Sequence, residues 1–459
     1  MTTSYDVVIA GAGPAGIFAA LELVRRDRMT VLILEKGPDL EGRSCAARRT
    51  GTCRDCEICN VTSGWGGAGA FSDGKLTLST EVGGWLGNYV GEQGLADLIS
   101  YVDGLWLEFG APEKVHGDDE DAIAEWQRKA VLADMTLVPM RVRHLGTDRC
   151  YEILQRMRAE LMEKVEIRTR TAVSRILTED GKVTGVETDS GETIGARHVI
   201  VAPGREGADW LAAEATRLGL DLENNAVDIG VRVEVPAAVM EPLTRDLYES
   251  KLVYFSKRFE DMVRTFCMNP YGEVSTENYG DGLVTVNGHS YADHTTDNTN
   301  FALLVSTTFT EPFKEPITYG RYIAGLANLL GEGILVQRLG DLTAGRRSTP
   351  ERIARSVVEP TLKDATPGDL SFVLPYRHLA DITEMLTAMD ELAPGVADAG
   401  TLLYGVEVKF YSSRVELDPG LMTEIEGLYA VGDGAGVTRG LVQASAAGVV
   451  AARAISEKG

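Results

Sequence analysis

"YDVVIAGAGPAGIFAALELVRRDRMTVLILEK", residues 5–36, decides how the rest of the chain is read. Its opening is a short apolar run, as a buried strand requires. Gly11, Gly13 and Gly16 follow in G-x-G-x-x-G spacing. "IFAALELVRRD" then repeats apolar residues at helical spacing, with Ile17, Leu21 and Val24 on one face. "TVLILEK" is a second strand, with Glu35 and Lys36 at its end. Strand, glycine turn, helix, strand and acid in this order give the motif its meaning as a dinucleotide site. Gly11 permits the tight turn. Gly13 lets the backbone approach a pyrophosphate at the helix N-terminus, and Gly16 lets helix and strand pack closely. Glu35 stands where an acid accepts hydrogen bonds from a ribose, and its charge disfavours a 2′-phosphate.

That unit alone does not separate NAD from FAD, and two later segments bear on the choice. Residues 426–436, "EGLYAVGDGAG", are a strand running to Asp433, followed by the helical "LVQASAAGVVAARAIS". Residues 165–204 alternate apolar and polar residues around Asp180-Gly181, a hairpin signal, and end in the strand "HVIVAPG" at Gly204. In this order the segments resemble the glutathione-reductase-like flavoproteins. The resemblance implies FAD, with Gly432 and Asp433 at the ribityl chain. It also implies that Gly440, Leu441 and Val442 present backbone N–H groups to the flavin N1 and C2 carbonyl. The positive end of that helix would stabilise an anionic reduced flavin. The expected fold class is α/β, a Rossmann-type FAD-binding domain assembled from discontinuous segments with an inserted mixed α+β substrate domain. The expected boundaries are 1–82, 141–222 and 400–459 for the FAD domain, 83–140 for a helical excursion, and 223–399 for the substrate domain. Within the excursion, residues 93–111 read as a helix with Leu95, Leu98, Ile99, Val102, Trp106 and Phe109 facing a core.

Composition narrows the partners. A net charge of −23 argues against a nucleic-acid surface, which needs a basic patch. The apolar stretches are too short to span a bilayer. The N-terminus has no basic n-region, so a cytoplasmic location is expected, where disulfides are disfavoured.

"RTGTCRDCEICNVTSGWGGAGAFSDGKL", residues 49–76, follows the first strand–helix–strand unit. Other segments accompany it: "HLGTDR" (144–149), "GVRVEVP" (230–236), "TFCMNPYGEV" (265–274), "VTVNGHSYADHTTDNTN" (284–300) and "GVEVKFYSSRVEL" (405–417). Together these resemble a widely distributed FAD-dependent dehydrogenase family of bacteria and archaea, most of whose members have no assigned reaction. "CNVTSG" is more distantly similar to flavoproteins that reduce conjugated double bonds in bile-acid-like substrates. The resemblance implies that Gly66, Gly67 and Ala68 run beside the isoalloxazine, with Ser72, Asp73 and Lys75 near the ring edge or substrate. Arg43 is expected near the diphosphate. On the substrate side the candidates are Cys267, His289, His294, Glu407, Lys409 and Tyr411. A flavin C=C reductase needs an acid on the carbon opposite the hydride, which a histidine or tyrosine suits, so His289 and Tyr411 rank first.

Cys45, Cys53, Cys56 and Cys59 form C-x7-C-x2-C-x2-C. A [4Fe–4S] site uses a C-x2-C-x2-C run plus one remote thiolate. Zinc draws two separated pairs and fits less well. A thiol relay and inert packing stay open as alternatives. No second strand–G-x-G-x-x-G–helix unit is found for a nicotinamide. Electrons would therefore come from a transiently docked nicotinamide or from a ferredoxin- or flavodoxin-like protein donor. The expected function is an FAD-dependent oxidoreductase that reduces or dehydrogenates a small, conjugated substrate. Flavin monooxygenase chemistry, non-redox use of reduced FAD, and a binding flavoprotein are the competing classes.

Overall fold

The computed structural model describes residues 4–26, 29–45, 56–71, 74–223, 225–279, 282–290, 295–309, 313, 315–410 and 413–458. Cys53, Ser72, Asp73, His294 and Tyr411 lie outside the described residues. The chain divides into two compact units, Met1–Lys114, Val142–Asn225 and Ser412–Gly459 in one, Val115–Arg141 and Ala226–Tyr411 in the other.

The first unit is built on a seven-stranded sheet. Ser4–Ala10 lies between Val31–Glu35 and Thr193–Val201, parallel to both. Glu166–Thr169 extends one side, and Leu428–Ala430 pairs in parallel with Thr193–Val201. Val7, Val8 and Ile9 are fully buried, as in a parallel strand covered on both faces. The hairpin Val173–Glu179 and Lys182–Thr188 completes the sheet. Its turn residues Asp180 and Gly181 have φ of 50° and 76°, the left-handed pair that a tight hairpin turn demands. The helix Pro14–Arg26 starts on a proline, whose missing N–H costs nothing there. The terminal helix Leu441–Lys458 crosses it at backbone contact: a Cβ on Gly448 would lie 2.0 Å from the Ala15 carbonyl oxygen.

The second unit centres on an eight-stranded sheet. Its order is Thr366–Pro367, Leu335–Arg338, Leu402–Lys409, Val227–Pro236, Asn298–Thr307, Met262–Asn269, Lys251–Phe255, Met135–Val138. A separate hairpin pairs Glu273–Asn278 with Val284–His289. Every residue from Val227 to Val235 is buried.

Two expected boundaries shift. The 83–140 excursion is not one piece. The helix Gly87–Glu108 belongs to the first unit, where Leu95, Leu98, Ile99, Val102, Trp106 and Phe109 are buried as the spacing implied. Met135–Val138 is instead an edge strand of the second sheet, paired with Lys251–Phe255. Residues 400–411 also leave the FAD domain, because Leu402–Lys409 is hydrogen-bonded to the central strand Val227–Pro236.

Candidate functional site

In the first unit, Glu35 organises the turn. Its carboxylate accepts the backbone N–H groups of Ala12, Gly37 and Gly64, each at 2.8 Å. One residue thus ties the second strand to the first glycine turn and to the 64–69 loop. A carboxylate offers about four acceptor positions, so one remains for the expected ribose contact. Lys36 pairs with Glu206, which also accepts from Ser63 Oγ.

The glycines separate into two kinds. Cβ atoms on Gly11 and Gly16 would lie 2.2 Å from the Ala202 oxygen and 2.0 Å from the Gly11 oxygen, so both are needed by the fold. A Cβ on Gly13 meets only the Cα of Gly67, at 3.9 Å, and Cβ atoms on Gly204 and Gly440 meet nothing within 4 Å. These glycines bare the backbone toward open space, a cradle that side chains would fill. The loop Gly66, Gly67 and Ala68 lies over the start of the first helix: Gly66 donates to the Ala12 oxygen at 2.8 Å. A Cβ on Gly69 would meet Leu441 and Pro14, so the same loop reaches the start of the terminal helix. Gly432, at φ 81°, leads into Asp433, which accepts from Thr438 Oγ1 at 2.9 Å and from the Gly440 N–H at 3.3 Å. Val442 is buried and Leu441 half-buried. The starts of the two helices, the bared glycines and an acid beside them fit FAD.

Arg43 holds the loop at residues 60–67 from within. It is buried, and its guanidinium donates to the carbonyls of Asn60, Val61, Trp65 and Gly67 at 2.7–3.0 Å. Burial lowers its pKa to about 10, against the opposing pull of Glu35, Cys59 and Cys150. It is a clasp for the loop that follows the cysteines. Asn60 Nδ2 adds a bond to the Ser44 carbonyl, so the arms carrying Cys45 and Cys59 are tied together at their base. Cys45, Cys56 and Cys59 are free of disulfides, and Cys56 is exposed. Among the described residues these three do not converge to the mutual distances of a single-ion site. Cys150 is packed, its Sγ against the Gly69 carbonyl. Lys75 sits on a short strand opposite His144.

The second unit holds a buried ionic cluster. Arg232 and Glu407, both fully buried, make a two-pronged pair with both bonds at 2.7 Å. Arg232 also donates to the Cys267 carbonyl and to Asn300 Oδ1. Lys409 bridges Glu407 at 3.2 Å and Glu277 at 3.3 Å. Burial pulls the Arg232 and Lys409 pKa values down, and their partners together outweigh it, Glu407 and Cys267 for Arg232 and Glu407 and Glu277 for Lys409, leaving both raised. The hairpin Glu273–Asn278 and Val284–His289 covers the cluster. A Cβ on Gly288 would lie 2.3–2.4 Å from Asn269 Nδ2, Asn300 Oδ1 and Arg232 Nη1, so only glycine passes there. His289 is the next residue, half-buried. Cys267 is half-buried with φ 46°, a strained conformation for a non-glycine residue.

Residues of the segments at 230–236, 265–274, 284–290 and 405–410 thus meet at one place in the second unit. Of the sequence candidates, Cys267, His289, Glu407 and Lys409 are brought together. Arg232, Asn269, Asn300 and Asn287, which donates to Glu277 at 3.1 Å, were missed.

Residues 6–52 match a family model described as an FAD binding domain. Residues 226–410 match one described as FAD-dependent protein, C-terminal domain-like, nearly the same span as the long segment of the second unit. An uncharacterized protein of Clostridium beijerinckii is 28% identical over 480 residues, covering 98% of this chain and 80% of that protein. Among solved structures, 3-ketosteroid-delta4-(5alpha)-dehydrogenase from Rhodococcus jostii RHA1 aligns over 99% of this chain and 97% of its own, at 13% identity and TM-score 0.45. L-proline dehydrogenase from P. horikoshii aligns over 100% and 95%, at 12% identity and TM-score 0.40. Neither likeness bears on this chain's substrate. The dinucleotide fold, its cradle and the two family matches make the chain an FAD-dependent protein. Among the described residues, no helix is long and apolar enough to cross a membrane.

Proposed function

We propose that this is a cytoplasmic member of the FAD-dependent dehydrogenase family it resembles, and that it reduces or dehydrogenates a carbon–carbon bond in a small, conjugated substrate. The observation that carries the reading is the Arg232–Glu407–Lys409–Glu277 cluster, assembled from three segments far apart in sequence. Burying the three charges of Arg232, Glu407 and Lys409 is costly even when they are paired, and well-packed apolar residues would often be at least as stable. A role in recognising a polar substrate group accounts for keeping them. FAD, when bound, supplies hydride transfer. Gly11, Gly13, Gly16, Glu35 and the 66–68 loop hold it, and the starts of the two helices face its negative charge. His289 and Tyr411 are the groups proposed to carry the proton at substrate, with Cys267 and Lys75 as further contacts.

Cys45, Cys53, Cys56 and Cys59 are proposed to hold a [4Fe–4S] relay fed by a ferredoxin- or flavodoxin-like donor. The Arg43 clasp supports this, because it links the cysteine arms mechanically to the loop lying over the cradle.

One anaerobic experiment tests both parts. Protein prepared without oxygen should carry about four irons per chain besides FAD. Once chemically reduced, it should be reoxidised by members of a panel of conjugated enones and enoates, with the C=C bond reduced in the product. Iron below about one per chain with four titratable thiols would remove the relay. Reoxidation by oxygen alone, with no panel member consumed, would contradict the C=C reaction.

A further inference from the structure

The helix Pro316–Gly331 in the second unit reverses the usual placement of side chains. After Pro316 at its start, its buried positions are Gly320, Ala324, Ala327 and Gly331, all small. This side lies so close to its surroundings that a Cβ on Gly320 would sit 2.9–3.1 Å from the side chains of Phe410, Val227 and Val408. The bulky apolar residues turn the other way. Tyr322, Leu326, Leu329 and Leu330 are the exposed positions of the helix, Tyr322 and Leu329 at 76% each. A surface helix ordinarily buries its large apolar residues and shows charge to water. One exposed leucine needs no explanation, but a contiguous apolar stripe marks a surface that another molecule covers.

We propose that this face pairs with the same face of a second copy of the chain, the two helices running antiparallel. Two features select that occupant. The first is charge. The chain carries a net charge of −23, so two copies repel each other, and carboxylates in the contact would add to the cost. Residues 316–331 contain no acid, and Arg321 is their one base. The second is self-complementarity. Tyr322, Leu326 and Leu330 follow at intervals of four and form a ridge centred on Leu326. A twofold axis at Leu326 sets this residue against its own copy and Tyr322 against Leu330 of the second copy. Every contact is then matched by its reverse, as twofold association requires. Arg321 and the exposed Glu332, which follows the last turn, flank the ridge on one edge at opposite ends. Like edges meet in an antiparallel pair, so each Arg321 falls opposite a Glu332. A parallel pair would instead set Arg321 on Arg321 and Glu332 on Glu332.

Sedimentation velocity of the full chain over a range of concentrations tests the pairing. A single helix face is small beside a standard interface of about 800 Å² per partner, so a reversible dimer with Kd of about 1–100 µM is expected. Leu329→Glu sets a carboxylate in the contact at a position the monomer leaves in water, and should weaken the dimer about a hundredfold or more. Tyr322→Glu serves the same purpose if that variant does not fold, as judged by its circular dichroism. Arg321→Glu should weaken the dimer about tenfold, and adding Glu332→Arg should restore it. A wild-type chain that stays monomeric at about 100 µM, or a dimer indifferent to both glutamate variants, would overturn the proposal and leave the face to a lipid surface or a different protein. A dimer that Leu329→Glu breaks and the charge exchange fails to restore would rule out the antiparallel pairing.

Discussion

Gly13→Ala is expected to fold as wild type does and to lose FAD, with affinity down by about a hundredfold or more. Within the protein the new Cβ meets only Gly67 Cα, at ordinary contact distance. Its penalty comes from the pyrophosphate, which has to approach the backbone at this turn. Gly16→Ala is the contrasting case. Its Cβ would lie 2.0 Å from the Gly11 carbonyl oxygen, so helix and strand must move apart whether or not cofactor is present. Overpacking of this kind costs about 1–3 kcal/mol or more. Urea unfolding of the apoproteins, with FAD titration of the same samples, separates the two. A Gly13→Ala protein with wild-type FAD affinity would place the pyrophosphate elsewhere.

Arg232→Met is expected to cost about 3–5 kcal/mol in stability, because it leaves a fully buried Glu407 with Lys409 as its remaining counter-charge. Replacing both members, Arg232→Met with Glu407→Leu, should restore most of that loss, since no charge is then left alone and Lys409 keeps Glu277. Substrate turnover should stay lost in the double variant. Denaturant unfolding and reoxidation by a conjugated substrate read the two effects separately. A double variant that is stable and fully active would reduce the cluster to a structural element.

The first unit was legible because its signals are local. Gly11, Gly13, Gly16 and Glu35 lie within one strand–turn–helix–strand, and Asp180-Gly181 announces its own turn. The cluster in the second unit was only half legible. "VDIGVRVEV" alternates Asp228, Gly230, Arg232 and Glu234 with Ile229, Val231, Val233 and Val235, the pattern of a strand with one face in water. The strand is central and both faces are buried, because a hairpin some forty residues on covers the polar one. Nothing within nine residues says that Arg232 will meet Glu407, 175 positions away. The alternation did hold a signal in retrospect: an arginine and a glutamate inside an otherwise β-branched run, in a chain where "GVEVK" and "NTNF" repeat the device. Around Arg43 an arginine near a glycine loop suggests phosphate, and only the fold shows that it donates to four backbone carbonyls of that loop.

The flavin released from denatured protein tests the identity of the cofactor most directly. Chromatography of the supernatant, after reconstitution of the folded chain, should give one FAD per chain, freed without proteolysis because the cradle holds it non-covalently. FMN in its place, or a chain that stays colourless in excess FAD, would contradict the reading of Gly11, Gly13, Gly16 and Glu35 as the AMP-binding half of an FAD site.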